Sequence, residues 1–145
     1  MPTDIGLPYS PLFRGRYPHM EPQDWPVWER FLNQYADQIK NLYYDVRIGG
    51  KPLDETGIDP SMVKMWFATT AKRIDAIAEF KNEVWLIEVA DVPGLRSVGQ
   101  LATYMSLYAE DPKFPLPAIP VLVATQIDPD LQKAITLYGM RALEV

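Results

Sequence analysis

The segment from Ala71 to Ala90 constrains the fold more than any other part of the chain. Two apolar-rich runs, AKRIDAIAEF and EVWLIEVA, meet at Lys81-Asn82 and read as a β-hairpin. Ile74, Ala76, Ala78 and Phe80 alternate against Trp85, Ile87 and Val89, so one face must be covered by another layer and an all-helical fold is excluded. A two-residue turn pairs Phe80 with Glu83, and counting back along both strands sets Asp75 opposite Glu88 and Arg73 opposite Ala90. Side chains so opposed share a face with Cβ atoms about 4.5 to 5.5 Å apart. Two carboxylates at that distance repel unless a proton or cation sits between them, and a divalent metal taking oxygen ligands is one solution. On this alternation Arg73 is the cation nearest Ala90, and Lys72 points to the opposite face. A one-residue register shift would separate the carboxylates. An ordinary cross-strand salt-bridge cluster of Asp75 and Glu88 with Arg73 is the alternative reading.

Around the hairpin, 145 residues with 48% hydrophobic and 23% charged side chains are enough for one core. Six of the first 26 residues are proline, which blocks helix and central strand, so residues 1–23 are expected as an extended arm held by its own domain or by a neighbour. From Asp24, a plausible N-cap, Trp25, Trp28, Phe31, Leu32, Tyr35, Ile39 and Leu42 recur at helical spacing. A strand follows at 43–48, then a loop, a short helix after Asp59, the hairpin, a helix near 95–109, a strand at PVLVAT, a helix after Asp128-Pro129 ended by Gly139, and a last strand, MRALEV. The expectation is a single α/β domain over 24–145 behind the arm.

Composition removes several chemistries. The chain has no cysteine, which excludes disulfides and thiolate zinc sites, and the single histidine, His19, cannot form a histidine cluster and reads as structural or solvated. Trp25, Trp28, Trp66 and Trp85 read as core or interface residues. The formal net charge of -5 gives no broad basic footprint, so any nucleic-acid role needs a local patch. No apolar stretch approaches the roughly 20 residues of a membrane helix and no signal-peptide pattern opens the sequence, so an intracellular, soluble protein without a membrane partner is expected.

The order RIDAIAEF, IEVA, GQLATY resembles the Asp, (Asp/Glu)-x-Lys and Gln-x-x-x-Tyr motifs of PD-(D/E)XK nucleases, the last from their exonuclease branch, over roughly residues 24–145. The resemblance implies a nuclease-like core of order α-β-β-β-α-β, here with an extra C-terminal helix and strand. It also implies that Asp75 and Glu88 bind Mg²⁺ with the Val89 main-chain carbonyl, and that Gln100 and Tyr104, four apart on one helix face, belong to the site. Glu29 matches the family's optional helical acid only loosely. The chain departs from the pattern at one place, where Ala90 stands in the lysine position. That lysine's work, positioning the attacking water and stabilising developing charge, needs a cation near the metal. Arg73 and Arg96 are the candidate substitutes, arginine being a poor base but a competent charge stabiliser.

Three functions follow as expectations. One is a catalytically impaired or inactive nuclease-like domain reused as a binding or assembly module that contacts other subunits through the arm. Such a module would suit a phage or virion head, neck or tail connector, and so a place within a virus particle. Another is an active Mg²⁺-dependent DNA nuclease with a migrated cation. The third is a DNA-binding protein that keeps the fold without the chemistry.

Overall fold

The structure, a computed structural model, describes residues 3–145. Its centre is one mixed sheet in which strand order follows chain order: β1 (Thr3–Asp4), β2 (Asn41–Ile48), β3 (Lys72–Glu79), β4 (Val84–Ala90), β5 (Ala118–Ala124) and β6 (Arg141–Glu144). The first four strands form an antiparallel meander, and β5 and β6 continue the sheet parallel to β4. Parallel neighbours need a crossover, supplied by α3 (Leu95–Glu110) and α4 (Pro129–Leu137). Asp128 caps α4 by accepting from the Asp130 N–H, and Gly139 leaves the helix at φ +68°, a conformation glycine adopts without a Cβ penalty.

Two apolar layers enclose the sheet. On one face α1 (Trp25–Tyr35) sets Val27, Trp28, Phe31 and Leu32 against Leu42, Tyr44, Ala76, Ala78, Trp85, Ile87 and Val121. The 3- and 4-residue spacing of those helix positions makes a single stripe that the sheet can cover. On the other face α3 and α4 bring Val98, Leu101, Tyr104, Tyr108, Leu131 and Ile135 onto Val46, Ile77, Leu86 and Leu122. A further helix, α2 (Pro60–Thr70), is opened by an Asp59 cap, lies between β2 and β3, and has no buried residue. Met62, Met65 and Trp66 are exposed on it, so Trp66 is not a core residue, whereas Trp28 and Trp85 are buried.

The proline-rich arm is held by its own domain. Thr3 and Asp4 pair with Ile48 and Arg47 as an edge strand, Tyr9 bridges Leu42, and Tyr17 and Met20 are buried. Tyr9 and Tyr17 both lie against Tyr44, whose hydroxyl accepts from Trp28 Nε1 at 2.9 Å. Aromatic contacts thus replace the main-chain hydrogen bonds that prolines cannot donate.

The hairpin register has the expected value: Ala76 faces Ile87, Ala78 faces Trp85, and Phe80 N–H donates to the Glu83 carbonyl across the Lys81-Asn82 turn. The alternation expected along β3 does not hold beyond Ala76. Ile74 packs in the α3 layer, although Ala76 and Ala78 lie in the α1 layer. β2 shows the same break, with Leu42 and Tyr44 in one layer and Val46 and Ile48 in the other. The two breaks lie opposite each other, at Asp45 and Asp75, and the pairing Tyr44 to Ala76 resumes as Val46 to Ile74 without a register shift. Asp45 stands at φ +52°, left-handed backbone that aspartate tolerates better than most residues. Each strand therefore turns over at one residue, and because both do so together the ladder survives.

Deleting residues 1–20 removes β1 and the buried Tyr17 and Met20. At roughly 1.5–3 kcal/mol per buried large apolar side chain, urea denaturation is expected to show a loss of about 3–6 kcal/mol with no change in sedimentation. Unchanged stability together with a lower association state would instead make the arm a subunit contact.

Candidate functional site

Asp75 lies at the reversal in β3 and Glu88 near the end of β4, where main-chain pairing between the two strands has stopped at Ala76 and Ile87. The strands part there, and the Val89 N–H, which would otherwise continue the ladder, donates to Asp75 Oδ2 at 2.9 Å. A strand residue directs its N–H and C=O toward the same neighbour, so the Val89 carbonyl faces the same gap. Both carboxyls are held above the usual carboxylate range, by burial first; for Asp75 the Val89 N–H works against that rise, while for Glu88 the Asp75 charge adds to it. Burial of both acids favours a proton held on the pair over two charges, since a single buried charge is tolerated where two are not.

The reversal at Asp45 and Asp75 decides which side of the sheet each neighbouring cation faces. Arg73 turns to the arm side, where its Nε and Nη2 each bond Asp45 at 2.6 Å, and it does not stand across from Ala90. Lys72 turns the other way. With Arg96, Gly99, Gln100, Thr103 and Tyr104 it lines a cavity of about 420 Å³ along α3. Unbroken alternation puts Arg73 on the Glu88 face and Lys72 on the other; the left-handed Asp45 and the matching break at Asp75 exchange the two faces. Arg96 acts on Glu88 and on Tyr104 as a favourable charge. Gln100 and Tyr104 share one wall of the cavity as the four-residue helical spacing implies. Burial, then the Glu88 and Asp75 charges, push the Tyr104 hydroxyl up to about 12, so it remains a neutral donor at ordinary pH.

One acidic participant was missed from the sequence. Asp24 does not cap α1 through its side chain; a short 3-10 turn, Pro22–Asp24, leads into the helix instead. Its carboxyl is raised mainly by burial, is drawn back down by the Asp91 main chain, and adds a repulsive charge to both Asp75 and Glu88. Glu29, the looser match in the same helix, is turned to the arm, where it accepts from the Tyr17 hydroxyl at 3.2 Å. His19 also belongs to the arm side, its Nδ1 4.0 Å from Asp45 Oδ1. An aspartate at a helix start reads as a cap by default, so no local signal separates Asp24 from a capping residue.

Among the described residues no group of three or more His, Cys, Asp or Glu side chains stands ready to hold a metal ion. The donor set at the gap is two carboxylates and one main-chain oxygen. That set fits Mg²⁺, which keeps several waters and takes one or two carboxylates together with substrate phosphates, better than a cation that needs a full protein cage. No family model matches the chain, and neither does any curated protein or solved structure.

Because both folded-state values are raised, the native pair retains a proton that the unfolded chain has released. The associated stability is complete below the ordinary carboxylate range and is lost as pH rises through the raised values. Thermal melts in EDTA are expected to show stability declining along that rise. Asp75→Asn, which still accepts from Val89 N–H, should be more stable than the parent at the alkaline end by about 1–3 kcal/mol, the usual cost of an uncompensated buried group. A parent that gains stability over the same range would contradict the shared proton.

Proposed function

We propose that this chain is a PD-(D/E)XK nuclease-like domain that hydrolyses phosphodiester bonds in DNA with a divalent cation, Lys72 and Arg96 supplying the positive charge that Ala90 lacks. The observation that carries this reading is the position of Lys72. It stands on the α3 side of the sheet, in the cavity that also holds Arg96, Gln100 and Tyr104. Neither Lys72 nor Arg96 has a carboxylate partner within 4.0 Å among the described ion pairs, so both charges remain available to a phosphate.

Asp75, Glu88 and the Val89 carbonyl are the groups that would hold Mg²⁺. When bound, the cation supplies Lewis-acid polarisation of a phosphoryl oxygen and replaces the proton shared by the two acids. The rest of the work falls to the chain. Lys72 is a flexible point charge whose ammonium can follow the non-bridging oxygens as charge develops. Arg96, at the first turn of α3, counters the acidic pair and draws the backbone phosphate toward it. Gln100 offers both a donor and an acceptor to orient a water or a phosphate oxygen, and Tyr104 donates from a hydroxyl that stays protonated. With a net charge of -5, binding depends on this local patch rather than on the whole surface.

A second reading, a catalytically inactive module for binding or assembly, has its own support. The Asp75 and Glu88 pair can hold a proton in place of a metal, one Asp75 oxygen is already occupied by Val89 N–H, and Ala90 removes the cation from its familiar place. Leu7 and Leu12 remain exposed on the arm and would be the contacts offered to another subunit.

The two readings separate in a DNA cleavage assay with Mg²⁺ or Mn²⁺. The nuclease reading expects cleavage that falls below detection in Asp75→Ala and Glu88→Ala. It expects a drop of about 10²–10³ in Lys72→Met, the scale for removing one group that stabilises transition-state charge, and a change within a few-fold in Arg73→Met. An inactive parent that becomes active as Ala90→Lys would establish the second reading. Cleavage that needs Arg73 but not Lys72 would refute the assignment of the cation.

A further inference from the structure

We infer that the cavity between α2 and the Arg47 to Gly49 end of β2 is a binding site for a small carboxylate bearing a short apolar group, separate from the carboxylate centre. The cavity measures about 220 Å³ and is lined by Asp4, Arg47, Gly49, Lys64, Phe67, Ala68 and Ala71. Its floor is apolar, and its two cations lack the partners expected of them. Arg47 forms no described side-chain hydrogen bond or ion pair; its Nε is buried and shielded from the cavity, so it is the rest of the guanidinium that a ligand would meet. Asp4 lies directly opposite Arg47 in the sheet yet forms no ion pair with it; its Oδ1 accepts from Gly6 N–H instead. On the other side Arg47 is in register with Arg73, whose charge is already taken by Asp45. Lys64 likewise has no described acidic partner.

Arg47 also borders a second cavity on the arm side, but that one is lined by Asp45 as well as Asp4 and contains no other cation. Anion binding is therefore favoured on the α2 side, where Lys64 adds a second positive charge. A guanidinium edge presents parallel N–H donors matched to the two oxygens of a carboxylate. A phosphate would ask for more donors than this wall offers, and Phe67, Ala68 and Ala71 give it nothing to bond. The volume lies below the range typical of drug-sized ligands, which limits the apolar part to a few carbons. Gly49 keeps the back of the cavity in place: at φ +68° a side chain is disfavoured, and a Cβ there would meet Leu107 Cδ1 at 3.0 Å.

Titration of the full chain with butyrate, followed by amide chemical shifts, tests the inference. Saturable shifts are expected at residues around Arg47, Lys64 and Ala68, with affinity reduced at least tenfold in Arg47→Met and several-fold in Lys64→Met. Inorganic phosphate, run alongside, should bind at least tenfold more weakly. Ala68→Leu keeps both cations and narrows the cavity, so it should abolish butyrate binding even if Arg47→Met fails to fold. No saturable response to butyrate, equal affinity in Ala68→Leu, or phosphate binding as tightly as butyrate would overturn the proposal. Because the readout is binding away from Asp75 and Glu88, the result is independent of whether the chain cleaves DNA.

Discussion

The bidentate bond between Arg73 and Asp45 anchors the one irregularity on which the rest of the sheet depends. Asp45 occupies left-handed backbone, a conformation that costs of the order of 1–3 kcal/mol for a non-glycine residue and persists only where surroundings enforce it. Two 2.6 Å bonds from Arg73 supply that enforcement, and they join the very strands that turn over. The outcome reaches both layers. Ile74 and Val46 enter the α3 core, Arg73 leaves it, and Lys72 is delivered to the cavity wall.

Around this point the protein accepts a local instability. Two acids buried beside a third, Asp24, oppose folding wherever they must ionise, and only a shared proton, the Val89 N–H and the Arg96 charge offset them. The surrounding cores are conventional by contrast: aromatic and aliphatic side chains from α1, α3 and α4 fill the two faces with little exposed area. Stability is thus concentrated in the layers and withdrawn from the gap between β3 and β4. That distribution is typical of sites whose chemistry needs groups the fold would otherwise exclude.

Much of this was legible in the residues. The two-residue turn fixed the Ala76 to Ile87 and Ala78 to Trp85 pairs, and with them the proximity of Asp75 and Glu88. The helices after Asp24, Asp59, Gly94 and Asp128 and the strand after KFPLPAI were visible because capping and periodicity are local signals. What escaped was non-local. Alternation by twos puts Arg73 on the Glu88 face and Lys72 on the other, and the paired breaks at Asp45 and Asp75, the first with a positive φ, exchange the two faces. Asp24 looked like a cap because its link to Asp91 crosses from the first helix to the end of β4. The arm left two options open, and its docking rested on aromatic contacts with Tyr44 that no pattern within residues 3–20 discloses.

The sequential order of the sheet carries one last consequence, for the timing of assembly. Each strand pairs with the strands just before and after it in the chain, so no strand must thread between partners already joined. Only the β3–β4 hairpin closes over a short loop; the other strand pairs join residues tens of positions apart, two of them in parallel, so most of the closure entropy is spent in long steps. The hairpin bearing Asp75 and Glu88 is the one strand pair that can close locally, and formed without α3 it would leave the two acids in water, where their repulsion is small. Desolvation is deferred to the docking of a helix that itself brings Arg96 and Tyr104.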